Sequence, residues 1–210
     1  MIKLSAKVLA EFMTSDPSRQ RKTLRDAKYP ESDEASVRVI YYREARETIV
    51  AFHRSKSPGL LLRQADNLEG LGRLNGGRSG TRLRHNARAL RAYEANFSQQ
   101  SIELLENLRL NLVINGVRIS VVPDLHYRFR SRVYLAKLEF SAEPPDEATL
   151  RIISQLMFEA SRTRPDLSNA SILVLDVARG QEMRGARAGS RIVGNIEAAC
   201  ANIMAIWPTI

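Results

Sequence analysis

Between Leu108 and Val121, apolar residues fall at every second position on either side of Asn115-Gly116. Leu108, Leu110, Leu112 and Ile114 alternate with Arg109, Asn111 and Val113, and Val117, Ile119 and Val121 resume the pattern after the turn. A period of two gathers one apolar row on one face of a pleated strand. Asn-Gly supplies the positive backbone angles that a two-residue hairpin turn demands. The chain is therefore expected to build a sheet in its second half, and the other elements must fit around that hairpin.

Upstream of Glu106 the period is helical. Ser5 to Met13 reads as a short amphipathic helix, and Pro17 after Asp16 suits the first turn of another. A longer helix is predicted from Asp33 to Arg54, with Val37, Ile40, Tyr41, Ala45, Ile49 and Phe52 on one stripe. Pro58 opens a leucine-rich helix that ends near Asn75-Gly76-Gly77. The run Gly76-Gly77-Arg78-Ser79-Gly80 reads as a break, either a linker or a loop over a bound polyanion. Thr81 is expected to cap the helix that follows, to about Phe97.

Downstream, the basic stretch His126 to Arg132 is expected to turn, and Val133 to Phe140 to form a third strand. Pro144-Pro145 ends that strand, and Asp146 caps a helix to about Arg162. A short apolar strand, Ser171 to Ala178, is paired with Gln181 to Ala186. A helix from about Gly189 to Ile206 closes the order. The fold class is α/β (α+β): a small mixed sheet flanked by helices. The expected division is a basic helical region over 1–97 and a mixed core over 98–210.

Charge narrows the partner. Positions 1–100 hold 19 basic and 11 acidic residues, positions 101–210 hold 13 and 12, and 14 of those first 19 cations are arginine. Arginine's planar fork suits phosphate, so the excess points to nucleic acid. Arg84, Arg88 and Arg91, spaced by four and three, make a candidate phosphate rail with Arg82 beside them. Arg78, Arg128 and Arg130 are further candidates. A solvated basic face, with Glu94 as a local partner, accounts for the same row without any ligand. A protein partner or a second copy of the chain stays open. No apolar run reaches the length of a membrane span, and the amino terminus does not read as a signal peptide. With one cysteine, Cys200, in an apolar helical setting, the cytoplasm is the expected compartment.

Several site types are missing from the sequence: a Walker phosphate loop, GxGxxG after a strand, and GxSxG. His53, His85 and His126 are scattered and, with a single cysteine, do not make a usual zinc set. In the third strand, Lys137 and Glu139 share a face close to where the preceding strand presents Asp124. Two carboxylates beside one ammonium can hold Mg²⁺ or Mn²⁺ and steady the charge of a cleaved phosphodiester. An exposed ion-paired strand face, with Asp124 as a turn residue, is the plain alternative.

Val122-Pro123-Asp124, a short hairpin, and Tyr134-Leu-Ala-Lys-Leu-Glu-Phe140 together resemble the core of the PD-(D/E)XK nuclease superfamily. The order of elements from about Ser98 to Ile206 is similar to that restriction-endonuclease-like fold. Gln155-Leu-Met-Phe-Glu159 resembles the Gln-x-x-x-Tyr signature of its RecB-like exonuclease branch, with Glu for Tyr. One departure is plain: the family carries acid-x-lysine, this chain Lys137-x-Glu139. The resemblance implies a metal-dependent DNA nuclease with Asp124 and Glu139 as metal ligands and Lys137 near the attacking water. Glu103 would be an accessory acidic ligand in a helix before the first strand, and Gln155 a support. The alternative it implies is a catalytically inactive nuclease-like DNA-binding subunit.

Overall fold

The computed structural model describes residues 1–29, 41–141, 143, 146–185 and 189–210. In chain order the elements are β1 (Ile2–Ser5), α1 (Ala6–Thr14), α2 (Pro17–Lys28), α3 (Arg43–Ser55), α4 (Leu60–Asn75) and α5 (Gly77–Phe97). Then come β2 (Glu103–Leu104), β3 (Leu110–Ile114), β4 (Val117–Val121), β5 (Leu125–Phe129), β6 (Arg132–Glu139) and α6 (Glu147–Arg162). The chain finishes with β7 (Ser171–Asp176), β8 (Gln181–Arg184) and α7 (Ser190–Ile206). The predicted helix start at Asp33, the Pro144-Pro145 stop and Ala186 lie outside the described residues.

The expected mixed α/β architecture is present, with two sheets. One has the order β1-β4-β3, with β1 parallel to β4, and the other the order β2-β5-β6-β7-β8, with only β6 and β7 parallel. The Asn115-Gly116 hairpin forms as read: φ is 45° and 79°, and Leu110 to Ile114 pair with Val121 to Val117. Ser5, Asp16 and Asp146 cap α1, α2 and α6 through their side-chain oxygens, satisfying N–H groups that a helix start leaves bare.

Burial divides into two cores on opposite faces of the five-stranded sheet. Ala45, Ile49, Leu61, Leu68, Leu90 and Tyr93 of α3–α5 pack on Leu125, Tyr127, Ala136, Leu138, Leu173 and Leu175. The other face, with Leu135 and Ile172, packs on α6, α1 and the three-stranded sheet. The expected boundary at residue 97 is therefore crossed. β1 hydrogen-bonds into the second half, while α3–α5 form a helical layer on its main sheet.

Three local readings are corrected. The stretch at His126 is strand β5, since Leu125 and Tyr127 alternate inward. Only Arg130-Ser131 turn, with φ of 46° and 65°. Cations on the outer row hid the period. Thr81 does not cap α5: the helix starts at Gly77, and the Thr81 hydroxyl donates to the Gly77 carbonyl. The glycine run is a break only at Gly76 and Gly77, where φ is 58° and 52°. Gly80 belongs to α5 because it must touch α4, where a Cβ would stand 2.4 Å from the Gly72 carbonyl oxygen. β1 has no reading in the sequence, being four residues that gain strand character only by pairing with β4.

Among the described residues, no helix is long and apolar enough to cross a membrane.

Candidate functional site

β6 is the middle strand of the five and runs past the start of β5. Two residues beyond Ala136, which pairs with Leu125 as the last β5–β6 pair, the Leu138 N–H needs an acceptor. The Asp124 carboxylate supplies it, with Leu138 N donating to Oδ2 at 2.8 Å. Lys137 Nζ lies 3.0 Å from the same oxygen and donates to the Val122 carbonyl at 3.3 Å. From the helical layer, Arg46 Nε of α3 comes within 3.2 Å of Asp124 Oδ1 as an ion pair, out of line for a hydrogen bond. Asp124's side chain is only 9% exposed, so this carboxylate faces two cations and an amide rather than water.

The expected meeting of Asp124 and Lys137 is thus present. The rest of the expected set is not joined to it. Glu139 shares the face of Lys137, but its Oε1 accepts the backbone N–H groups of Phe140 and Ser141 at 3.0 and 2.9 Å, closing the end of β6. Glu103 is on edge strand β2, not in a helix, and its carboxylate takes Arg128 at 3.0 Å. Arg128 is four residues along β5 from Asp124, about 13 Å at strand rise. Gln155 is buried in α6 and donates to Glu159 at 2.6 Å, while its Oε1 has no partner among the described residues.

Magnesium requires several hard oxygens in near-octahedral array. Here both Asp124 oxygens are occupied, and Glu139 is turned to its own backbone. Leu135, two residues before Lys137 on the same face, is fully buried among apolar side chains where the family pattern has an acid. Among the described residues, no three His, Cys, Asp or Glu side chains gather as a metal site. As arranged, these residues do not fit a Mg²⁺ or Mn²⁺ centre.

Other groups complete the end of β6. Tyr42 stacks on Phe140, with centroids 4.9 Å apart and 21° between planes, and the Arg46 guanidinium sits 5.3 Å from the Phe140 centroid. The Tyr42 hydroxyl is held above its usual range, first by burial and then by Tyr41 and Glu139 nearby; Arg88 and Arg46 pull the other way. Asp176, 2% exposed, stands opposite Glu139 in the β6–β7 register and accepts from Arg179 at 2.9 Å. Arg46 and Tyr42 were not legible as site residues, because only the docking of α3 brings them to β6.

The arginine rail is only partly free. Arg82 binds Glu44 through two contacts of 2.6 Å, and Arg91 reaches Asp66 at 2.9 Å and Glu69 at 3.4 Å. Arg84 donates to Thr81. Arg78 and Arg88 are exposed and face no acid among the described residues, and Arg130 lies over Phe129 at the β5–β6 turn. The three histidines are structural: His53 bonds Tyr93, His85 bonds Tyr41, and His126 bonds the Glu106 carbonyl.

Compared with known proteins, the chain matches no protein-family model and no curated protein.

Proposed function

We propose that this protein is a nucleic-acid-binding module, with DNA the first candidate, built on a nuclease-like sheet that does not hydrolyse its ligand. The observation that carries this reading is the locking of Asp124 by Lys137, Arg46 and the Leu138 N–H. A carboxylate so neutralised serves the fold, whereas Lys137, Arg46 and the exposed Arg88 still present positive charge at the end of β6. The PD-(D/E)XK resemblance supports the placement of the site on β5 and β6. It does not supply the missing acid.

The test pairs two measurements. Fluorescence anisotropy of labelled DNA across a salt series is expected to show binding whose logarithm falls linearly with the logarithm of salt. Incubation of linear and circular DNA with Mg²⁺ or Mn²⁺ is expected to leave both intact. Metal-dependent cleavage abolished by Asp124→Ala would restore the nuclease reading, and an absence of salt-sensitive binding would end both.

A further inference from the structure

The end of β6 combines two features that a site for double-stranded backbone alone does not need. The first is an aromatic surface. Tyr42 lies on Phe140, Tyr41 meets Tyr42 edge-on at 5.0 Å, and the Tyr41 hydroxyl is fixed by His85 at 2.9 Å. Phe140 is buried, while Tyr41 and Tyr42 are half-buried, so the tyrosines are the outer members of the stack. The second is a ring of donors beside it. The Arg46 guanidinium lies 5.3 Å from the Phe140 centroid with its side chain 31% exposed. Lys137, 26% exposed, reaches the same Asp124 carboxylate as Arg46 from the other face of β6, with three N–H groups for the two oxygens it meets. Arg88, exposed on α5, is close enough to act on the Tyr42 hydroxyl.

Inside a duplex both faces of every base are covered by its stacked neighbours, and only the two end pairs offer a face to a tyrosine. A base that is splayed out can stack on an aromatic ring whatever its identity, while its phosphate meets nearby cations. We propose that the ligand of this site is an unpaired nucleotide, so that the protein engages single-stranded DNA, or a single-stranded tail on a duplex, ahead of blunt duplex. Tyr42 is the stacking surface, and Lys137, Arg46 and Arg88 are the phosphate contacts. This inference rests on the nucleic-acid reading above and adds the form of the polymer.

The experiment uses the full chain and three fluorescein-labelled probes at one salt concentration: a single strand of about 16 nucleotides, the blunt duplex of that sequence, and the duplex with an unpaired tail. The single strand and the tailed duplex are expected to bind about tenfold more tightly than the blunt duplex. Tyr42→Ala is expected to weaken binding of the single strand and of the tailed duplex by about tenfold, the loss of one stacked base, and so to erase that preference. Tyr42→Trp keeps the stack and supplies a reporter, whose fluorescence should be quenched by the single strand and not by blunt duplex. Equal affinity for all three probes, or equal losses in Tyr42→Ala, overturns the inference while leaving the binding function intact. No binding to any probe overturns the function itself, so the two failures are distinct.

Discussion

Arg46 Nε, on the third helix, stands 3.2 Å from the Asp124 carboxylate at the start of the fifth strand. That pair ties the helical layer to the central sheet at the point where Lys137 and the Leu138 N–H meet the same acid. Charges held this way contribute mainly by not being left alone. A buried carboxylate or ammonium without its partner costs far more than the intact pair gains.

Asp124→Ala is accordingly expected to destabilise the fold by about 3 kcal/mol, since it strands Lys137, Arg46 and an amide together. Urea melts of Asp124→Ala, Lys137→Met and the double variant check it. The double variant should cost less than the sum, with a coupling of at least about 1 kcal/mol.

Acid should weaken the protein through His53. This ring is buried against Tyr93, and burial lowers its pKa from 6.5 to about 4. The unfolded chain therefore binds a proton between pH 6.5 and 4 that the folded chain refuses. Stability from this group is complete above pH 6.5 and is lost as the pH falls toward 4, up to roughly 3 kcal/mol. The urea midpoint should fall over that window, and His53→Gln should flatten the fall.

Arginines committed to acids and arginines open to solvent should separate in DNA binding. Arg88→Glu and Arg78→Glu are expected to weaken affinity and reduce the salt slope by about one or more each. Arg91→Ala should leave binding nearly unchanged, because its donors are spent on Asp66 and Glu69.

The α4–α5 contact predicts opposite outcomes for two glycines. Gly80→Ala places a methyl 2.4 Å from the Gly72 carbonyl oxygen and should cost roughly 1–3 kcal/mol by forcing the helices apart. Gly70 has nothing within 4 Å of an added Cβ, so Gly70→Ala should stabilise by about 0.5–1 kcal/mol. Thermal unfolding of both variants decides it.

Cys200 is fully buried, and desolvation pushes its thiol up to about 11. Thiol reagents at pH 8 should label it only as fast as the protein opens, and labelling should become rapid in denaturing urea.

Local chemistry explains what the sequence made legible. The Asn115-Gly116 hairpin, the caps at Ser5, Asp16 and Asp146, and the closing helix at Ile196, Cys200 and Ile203 follow from residues within a few positions of one another. The approach of Asp124 to Lys137 was also readable, because two neighbouring strands of fixed period bring their faces together. β5 was concealed by Arg128 and by Arg130 and Arg132 just after it, since composition suggested a turn where alternation of Leu125 and Tyr127 had already specified a strand. Glu103 and the arginine row looked available only while their partners, Arg128, Glu44, Asp66 and Glu69, were unknown.

The sequence by itself determined most of the helices, the Asn115-Gly116 hairpin and the face shared by Lys137 and Glu139, because each depends on short-range periodicity, and composition alone set the positive charge. Tertiary structure alone decided that β1 joins β4, that Tyr42 and Arg46 reach the end of β6, and that Glu139 turns to its own backbone. Those outcomes depend on which distant surfaces pack together, and packing sets how far each charge must travel to find an opposite one.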